Sequence, residues 1–361
     1  MWPLSPANVA VIQGDMTKRG YPNTQEPNAC GSVESVAEAL GTVRPTGRTR
    51  STEPSRSTAS TLQGDDASTD HFRLTYFDPP AGLERHVLAL FHFEWDEANI
   101  EDRHPGALGQ LFMTPLGSGE IRFGDRVERV EGDAHMFGGF ETAAPFRFRG
   151  PWHSYGVSLS PIGWAALAQS PASDCLNHFF PASHFLGPDI DGFAGDLNRQ
   201  YRDGAITGEQ ACEQLGRWIA PRLASIPDSH EEVIERALGW LGSSLHPDVD
   251  QLYSELDYSR RQVERLVRRY FGFTPAALAR KMRAIRAANL LSQPNLTDEG
   301  EAEIANAFYD QPHMIREIRR YCGYTPARLG GGKEPLFQTM LRMRNLDRLR
   351  RFRAIGGHDS A

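Results

Sequence analysis

The sequence predicts an α+β chain in two parts. An antiparallel β barrel or sandwich with flanking helices comes first, and an all-α region with two helix-turn-helix modules follows. Three observations predict this. Short runs of aromatic and β-branched residues, broken by Gly, Pro and Asp, crowd residues 71–160. From Pro161 onward the apolar spacing becomes helical. One unit, a capped basic helix closed by Gly-aromatic-Thr-Pro, occurs twice, ending in GFTP at Gly272 and GYTP at Gly323.

Residues 1–70 are rich in Ser, Thr, Gly and Pro. Such a stretch buries too little apolar surface to offset backbone entropy, so an extension without stable structure is expected there. In residues 71–160 the runs FRLTYFD, HVLALFHFEW and GEIRFGDRVERVEG read as strands of a small barrel that can enclose one ligand. Phe91, Phe93, Trp95, Phe112 and Phe137 are the expected pocket lining, although period-2 strands also pack aromatics simply as core. His86, His92, His104, His135 and His153 lie in the same region. They lack an H-x-H with a following Glu, so neither a metal nor a cofactor is expected.

Residues 161–228 read as a helical linker or dimerisation region. Ala211, Leu215, Trp218, Ile219 and Leu223 form one stripe, a dimer seam if exposed and a core contact if buried. The region with the two helix-turn-helix modules spans 229–330. There VDQLYSELDY is a short helix and turn, and Ser259 with Gln262 forms an S-x-x-Q capping box. Val263, Leu266, Val267, Tyr270 and Phe271 make the apolar stripe of the helix that follows, and Gly272 stops it. Arg260, Arg261, Arg265, Arg268 and Arg269 project from its polar side. Between Ser259 and Leu291 stand nine Lys or Arg against the single acid Glu264. A charge run is more often a solvated face, but this one follows a turn and a cap, where a major-groove reader needs cations.

The second module has Asp310 as N-cap, with Met314, Ile315, Ile318 and Tyr321 apolar and Gly323 as stop. Three glycines, Gly330, Gly331 and Gly332, lead into a flexible basic tail over 331–361, with a basic amphipathic helix over Leu336–Phe352. Net charge is −7 overall, but from Ser259 onward there are 20 Lys or Arg and 10 Asp or Glu. A basic end on an acidic body suits a DNA module joined to something kept off DNA. Four scattered cysteines, no long apolar run and no signal-peptide pattern point to a reducing, cytoplasmic setting without a membrane partner.

Leu252, Ser259-Arg260-Arg261, Glu264-Arg265, Gly272, Pro275, Arg283, Leu290-Leu291, Ile304-Ala305, Asp310-Gln311, His313, Arg316, Gly323 and Thr325-Pro326 carry a resemblance. On these residues the region resembles the DNA-binding domain of AraC/XylS transcriptional regulators, over about residues 230–329. The resemblance implies that Arg261, Gln262, Glu264 and Arg265 face base edges from the first recognition helix. In the second, Gln311, Pro312, His313 and Arg316 take that role. It also implies double-stranded DNA as partner, with RNA polymerase and a homodimer as further partners, and a cupin-like sensor for a small effector in the N-terminal half. The family's turn glycine before the second cap is missing from EIANAFYD. An alanine held at positive φ there would cost roughly a kcal/mol, so base reading by the first module is the firmer expectation. The function expected is a sequence-specific transcription regulator rather than an enzyme. The alternatives are a metal-dependent cupin-type enzyme with a helical scaffold, and a regulator whose N-terminal half only dimerises.

Overall fold

The computed structural model describes residues 64–68, 71–106, 108–292, 296–329 and 336. The extension expected before residue 64 lies outside these residues, as does the tail after Leu329 except Leu336. An antiparallel sheet forms the N-terminal part: β1 (Gly64–Ser68), β2 (Phe72–Phe77), β3 (Val87–Trp95), β4 (Asn99–His104), β5 (Gly109–Phe123), β6 (Arg126–Val130), β7 (Ala134–Phe137), β8 (Ala144–Leu159) and the two-residue β9 (Phe180–Pro181). The path is β1-β2-β3-β8-β5-β7-β9, with β4 on β8 and β6 on β5. β1 falls inside the segment expected to lack structure, and this corrects that boundary. Its ladder with β2 runs from Gly64↔Phe77 to Ser68↔Arg73, and backbone pairing of this kind does not depend on the hydropathy that composition reads.

Alternation along the strands splits the apolar residues into two cores. Phe72, Leu74, Phe91, Phe93, Trp95, Ile100, Phe112, Ile121, Phe137, Phe146 and Trp152 meet in one aromatic cluster inside the curled sheet. Val87, Leu90, Leu111, Met113, Tyr155, Val157 and Leu159 face the other way. Helices α1 (Pro161–Ala168), α2 (Ser183–Leu186), α3 (Asp189–Arg202) and α4 (Gly208–Ile219) cover that second face. A buried chain pins α3 to the sheet: the Tyr155 hydroxyl donates to Asn198 Oδ1 at 2.7 Å, and Asn198 Nδ2 donates to Asp133 Oδ1 at 2.8 Å. Ala211, Leu215 and Ile219 of α4 are fully buried in this core. Their stripe therefore packs on the sheet and is not a dimer seam.

Seven further helices follow: α5 (Asp228–Ser243), α6 (Val249–Ser254), α7 (Arg260–Phe271), α8 (Pro275–Ser292), α9 (Asp298–Ala307), α10 (Gln311–Cys322) and α11 (Pro326–Leu329). They surround two cores, and α8 belongs to both. Leu278 and Ala279 join Val233, Trp240, Leu252, Val263 and Leu266. Ala284, Ile285, Ala287 and Ala288 join Ile304, Met314, Ile318 and Tyr321. At 18 residues, α8 is about 27 Å long.

The sheet domain packs directly on these helices. Ile162 of α1 lies in the α5–α7 core, and Arg85 bridges Glu231 at 2.8 Å and Glu235 at 2.6 Å. At the centre Lys281 of α8 is 1% exposed. Its ammonium donates to the carbonyl of Gly106 at 2.8 Å and to that of Phe140, and lies 4.9 Å from the Phe273 ring centre. Lys281, Arg283 and Arg286 were among the nine cations of the basic run. Here Arg283 is 5% exposed, and Arg286 donates to the carbonyls of Leu241 and Ser244 at 2.6 and 2.8 Å. All three are structural, because α8 is enclosed on opposite sides.

Burial lowers the Lys281 pKa from 10.5 to about 7. The unfolded chain therefore binds more protons between those values, and stability gains a component that rises with pH across that window. Thermal denaturation of Lys281→Met against the natural chain from pH 7 to 9.5 should show this rise in the natural chain and lose it in the variant. Equal slopes would show that the buried amine does not titrate there.

Candidate nucleic-acid interface and adjoining cavity

Two helix-turn-helix units are present, α6–α7 and α9–α10. Ser259 caps α7: its hydroxyl accepts from Gln262 N–H, and Gln262 Oε1 accepts from Ser259 N–H at 3.0 Å. Asp310 caps α10, accepting from His313 N–H at 2.6 Å. Both helices end on a glycine in the left-handed region, Gly272 and Gly323, each at φ 83°. The missing turn glycine causes no strain. Phe308 is extended at φ −124° and Asp310 at φ −152°, and no residue from 303 to 309 has positive φ. An extended turn replaces the left-handed one, so that expected cost does not arise.

On α7, Arg260, Arg261, Gln262, Glu264, Arg265, Arg268 and Arg269 are all exposed, while Val263, Leu266, Val267 and Tyr270 are buried. Some of these polar groups already have partners. Arg260 pairs with Asp250 at 2.8 Å and lies over the Tyr253 ring. Glu264 accepts from the Tyr253 hydroxyl at 3.0 Å, and Gln262 serves the cap. Arg261, Arg265 and Arg268 have no ion pair among the described residues. On α10, Pro312 and Arg316 are exposed, and Gln311 and His313 are half-buried. His313 Nε2 is 3.3 Å from Glu317, which pairs with buried Arg283 at 2.6 Å. His313 is thus held sideways, and among the described residues Arg316, beside it, has no ion pair.

One feature escaped the sequence reading. Tyr309, in the turn between α9 and α10, is 90% exposed. Nothing in EIANAFYD separates it from its buried neighbour Phe308. Only the placement of α10 does.

The sheet domain meets both units at their glycine stops. A Cβ on Gly272 would come within 2.8 Å of Leu176, and one on Gly323 within 2.6 Å of Arg103 Cδ. Ala143 N–H donates to Arg320 O at 3.1 Å. Tyr324, in the second repeat, donates its hydroxyl to Asp102 of β4, which also accepts from Leu336 N–H at 2.7 Å.

Inside the sheet is a cavity of about 90 Å³. Phe91, Phe93, Phe112 and Phe137 line it, and Leu336 closes one side. Trp95 belongs to the same aromatic cluster but does not line the cavity. His104 also faces it. Burial, reinforced by nearby Lys281, lowers the His104 pKa to about 4 and leaves the ring neutral. Three of the other histidines act as struts. His92 Nε2 and His153 Nδ1 share the Tyr201 hydroxyl, each at 2.8 Å, and His135 Nε2 bonds the Glu131 carbonyl at 2.9 Å. Among the described residues no cluster of three or more His, Cys, Asp or Glu could hold a metal.

This geometry defines a two-unit helix-turn-helix region carried by a β-domain, and a family model agrees for the helix-turn-helix part. The family model for a helix-turn-helix domain matches residues 252–330. The HTH-type transcriptional regulator GbdR of Pseudomonas aeruginosa is 34% identical over 96 residues, 27% of this chain and 26% of GbdR. The match thus spans about a quarter of the curated relatives. Among solved structures, apo ToxT from Vibrio cholerae has a TM-score of 0.40 at 8% identity, covering 66% of this chain and 95% of that one. The AraC-like activator CuxR has a TM-score of 0.28 at 12% identity, covering 67% and 90%. Residues 252–330 of this chain match a helix-turn-helix domain.

Gly323→Ala should cost roughly 1–2 kcal/mol from the backbone alone and add a clash with Arg103. Gly204, at φ 69° with open space around it, isolates the backbone part. Chemical denaturation should rank Gly323→Ala below Gly204→Ala in stability, and equal losses would mean that the seam at Gly323 yields freely.

Proposed function

We infer that this chain is a sequence-specific, DNA-binding transcription regulator. The observation carrying this reading is α7: a capped helix after a tight turn, buried on one face, with Arg261, Arg265 and Arg268 exposed and unpaired on the other. Guanidinium forks match guanine O6 and N7, and a bidentate pair is worth roughly 1–3 kcal/mol of discrimination. Arg261 and Arg265 are the principal readers. Gln262 and Glu264 read bases only by giving up a cap or a Tyr253 contact, and Arg260 and Arg268 suit phosphate. In the second unit Arg316 leads, with Gln311, Pro312 and His313 beside it. Tyr309 flanks the same surface.

The β-domain supports a sensor reading. Its cavity is aromatic and carries no charge with His104 neutral, so the effector is a small, uncharged, planar or aliphatic molecule. A ligand filling the cavity displaces Leu336, which removes one of the donors to Asp102 and alters the neighbouring Tyr324 contact. Cavity and second reader are thereby joined through one carboxylate. The N-terminal dimerisation reading has lost its leading surface, since the α4 stripe is buried.

Mobility-shift titration on the DNA upstream of its own coding region should give binding that falls steeply with salt. Arg265→Ala should weaken it about tenfold or more with the fold intact. Unchanged affinity in that variant would refute the assignment of α7 as reader. For the sensor, neutral aromatic compounds should raise the melting temperature of the natural chain, and Ile121→Phe, which fills the cavity, should abolish the rise. A rise preserved in Ile121→Phe would place the ligand elsewhere.

A further inference from the structure

A second cavity, about 310 Å³, opens where the sheet meets the second helix-turn-helix unit. Its floor is set by register. β4 and β5 flank β8, so side chains level with one another on them stand about 10 Å apart. In one row Arg147 of β8 lies opposite both Glu101 and Glu120, and its Nε donates to Glu101 at 2.7 Å. That row sets one cation against two carboxylates, and only Glu101 is paired with Arg147. In the next row Arg103 lies opposite Pro145. Arg122, one residue past Ile121, whose partner is Phe146, falls level with Pro145 from the other side.

Two cations therefore flank an apolar proline, and a third faces them across the cavity. Arg328 projects from α11, its guanidinium 4.8 Å from the Tyr324 ring centre. None of the three has an ion pair among the described residues. The remaining carboxylate of the lining, Asp102, is buried and is occupied by Tyr324, Leu336 and the Arg103 N–H. Across the whole lining four arginines stand against three carboxylates, so the cavity keeps a net positive charge that a bound anion would offset.

We propose that this cavity is a binding site for a small anion bearing phosphate or carboxylate groups, held by Arg103, Arg122 and Arg328. Arg103 packs its stem on Gly323, the stop of α10. An occupant tying Arg103 and Arg122 to Arg328 thus ties the sheet to the second reader. DNA phosphate is the weaker occupant, because the cavity lies at the C-terminal end of α10 and base-reading residues lie at the N-terminal end. The proposal goes beyond the regulator reading and stands without it.

The test is calorimetric titration of the full chain with pyrophosphate and, separately, with citrate, at fixed ionic strength. Saturable binding of at least one is expected, and which one binds identifies the acidic group. Arg122→Gln should weaken it about tenfold, the effect of losing one charge-assisted contact, whereas Arg129→Gln, the same charge change on neighbouring β6, should leave it intact. No saturable heat with either probe, or equal affinity in Arg122→Gln, overturns the site. So does an Arg122→Gln chain that loses DNA affinity while binding both probes normally, since the arginines would then serve a duplex.

Discussion

Helix α8 is the member on which the rest of the molecule hangs, and the constraint is the fate of its cations. Lys281 and Arg283 stand two residues apart, which puts them on nearly opposite sides of a helix. Lys281 is committed to carbonyls of the sheet domain. Arg283 is committed to Glu317 of α10 at 2.6 Å, to the Ala307 carbonyl at 3.0 Å and to His246 at 3.2 Å. Breaking one partner from a buried charge is far costlier than the net worth of the pair. One rod thus locks the sheet on one side and the second reader on the other, and neither can shift without stranding a cation.

That arrangement explains how the two readers are held. Each recognition helix has its cap at the free end and its left-handed glycine at the end touching the sheet domain, near Leu176 in one case and Arg103 in the other. Cap residues face away from the sheet domain, and stops face it. The same polarity separates the cavities from the reading surface. Leu336, which lines the aromatic cavity, and Tyr324 of the second unit both donate to Asp102, and Arg103 of the arginine-lined cavity packs against Gly323.

The readers themselves were legible because their signals are local. Ser259 with Gln262, the stripe from Val263 to Tyr270 and the Gly272 stop each involve residues within one or two turns. Helical periodicity therefore reports which side chains are buried. The strands were legible for the same reason, as alternation in HVLALFHFEW separates Phe91 and Phe93 from Leu90 and His92. Counting charges along the chain misled where burial is not local. Lys281, Arg283 and Arg286 look like any basic run, and only the elements closing over α8 turn them inward. His313 likewise follows the helical pattern, but Glu317 and Phe308 hold it sideways.

The sequence by itself determined the α+β class, the two capped helices with their glycine stops and the side chains left exposed on α7, because capping, periodicity and turn chemistry act over a few residues. Only the tertiary structure decided which cations remain free, that β1 joins the sheet, that the α4 stripe is core, and that arginines from β4, β5 and α11 converge on one cavity. Those outcomes depend on contacts between residues far apart in the chain, whose geometry no local pattern encodes.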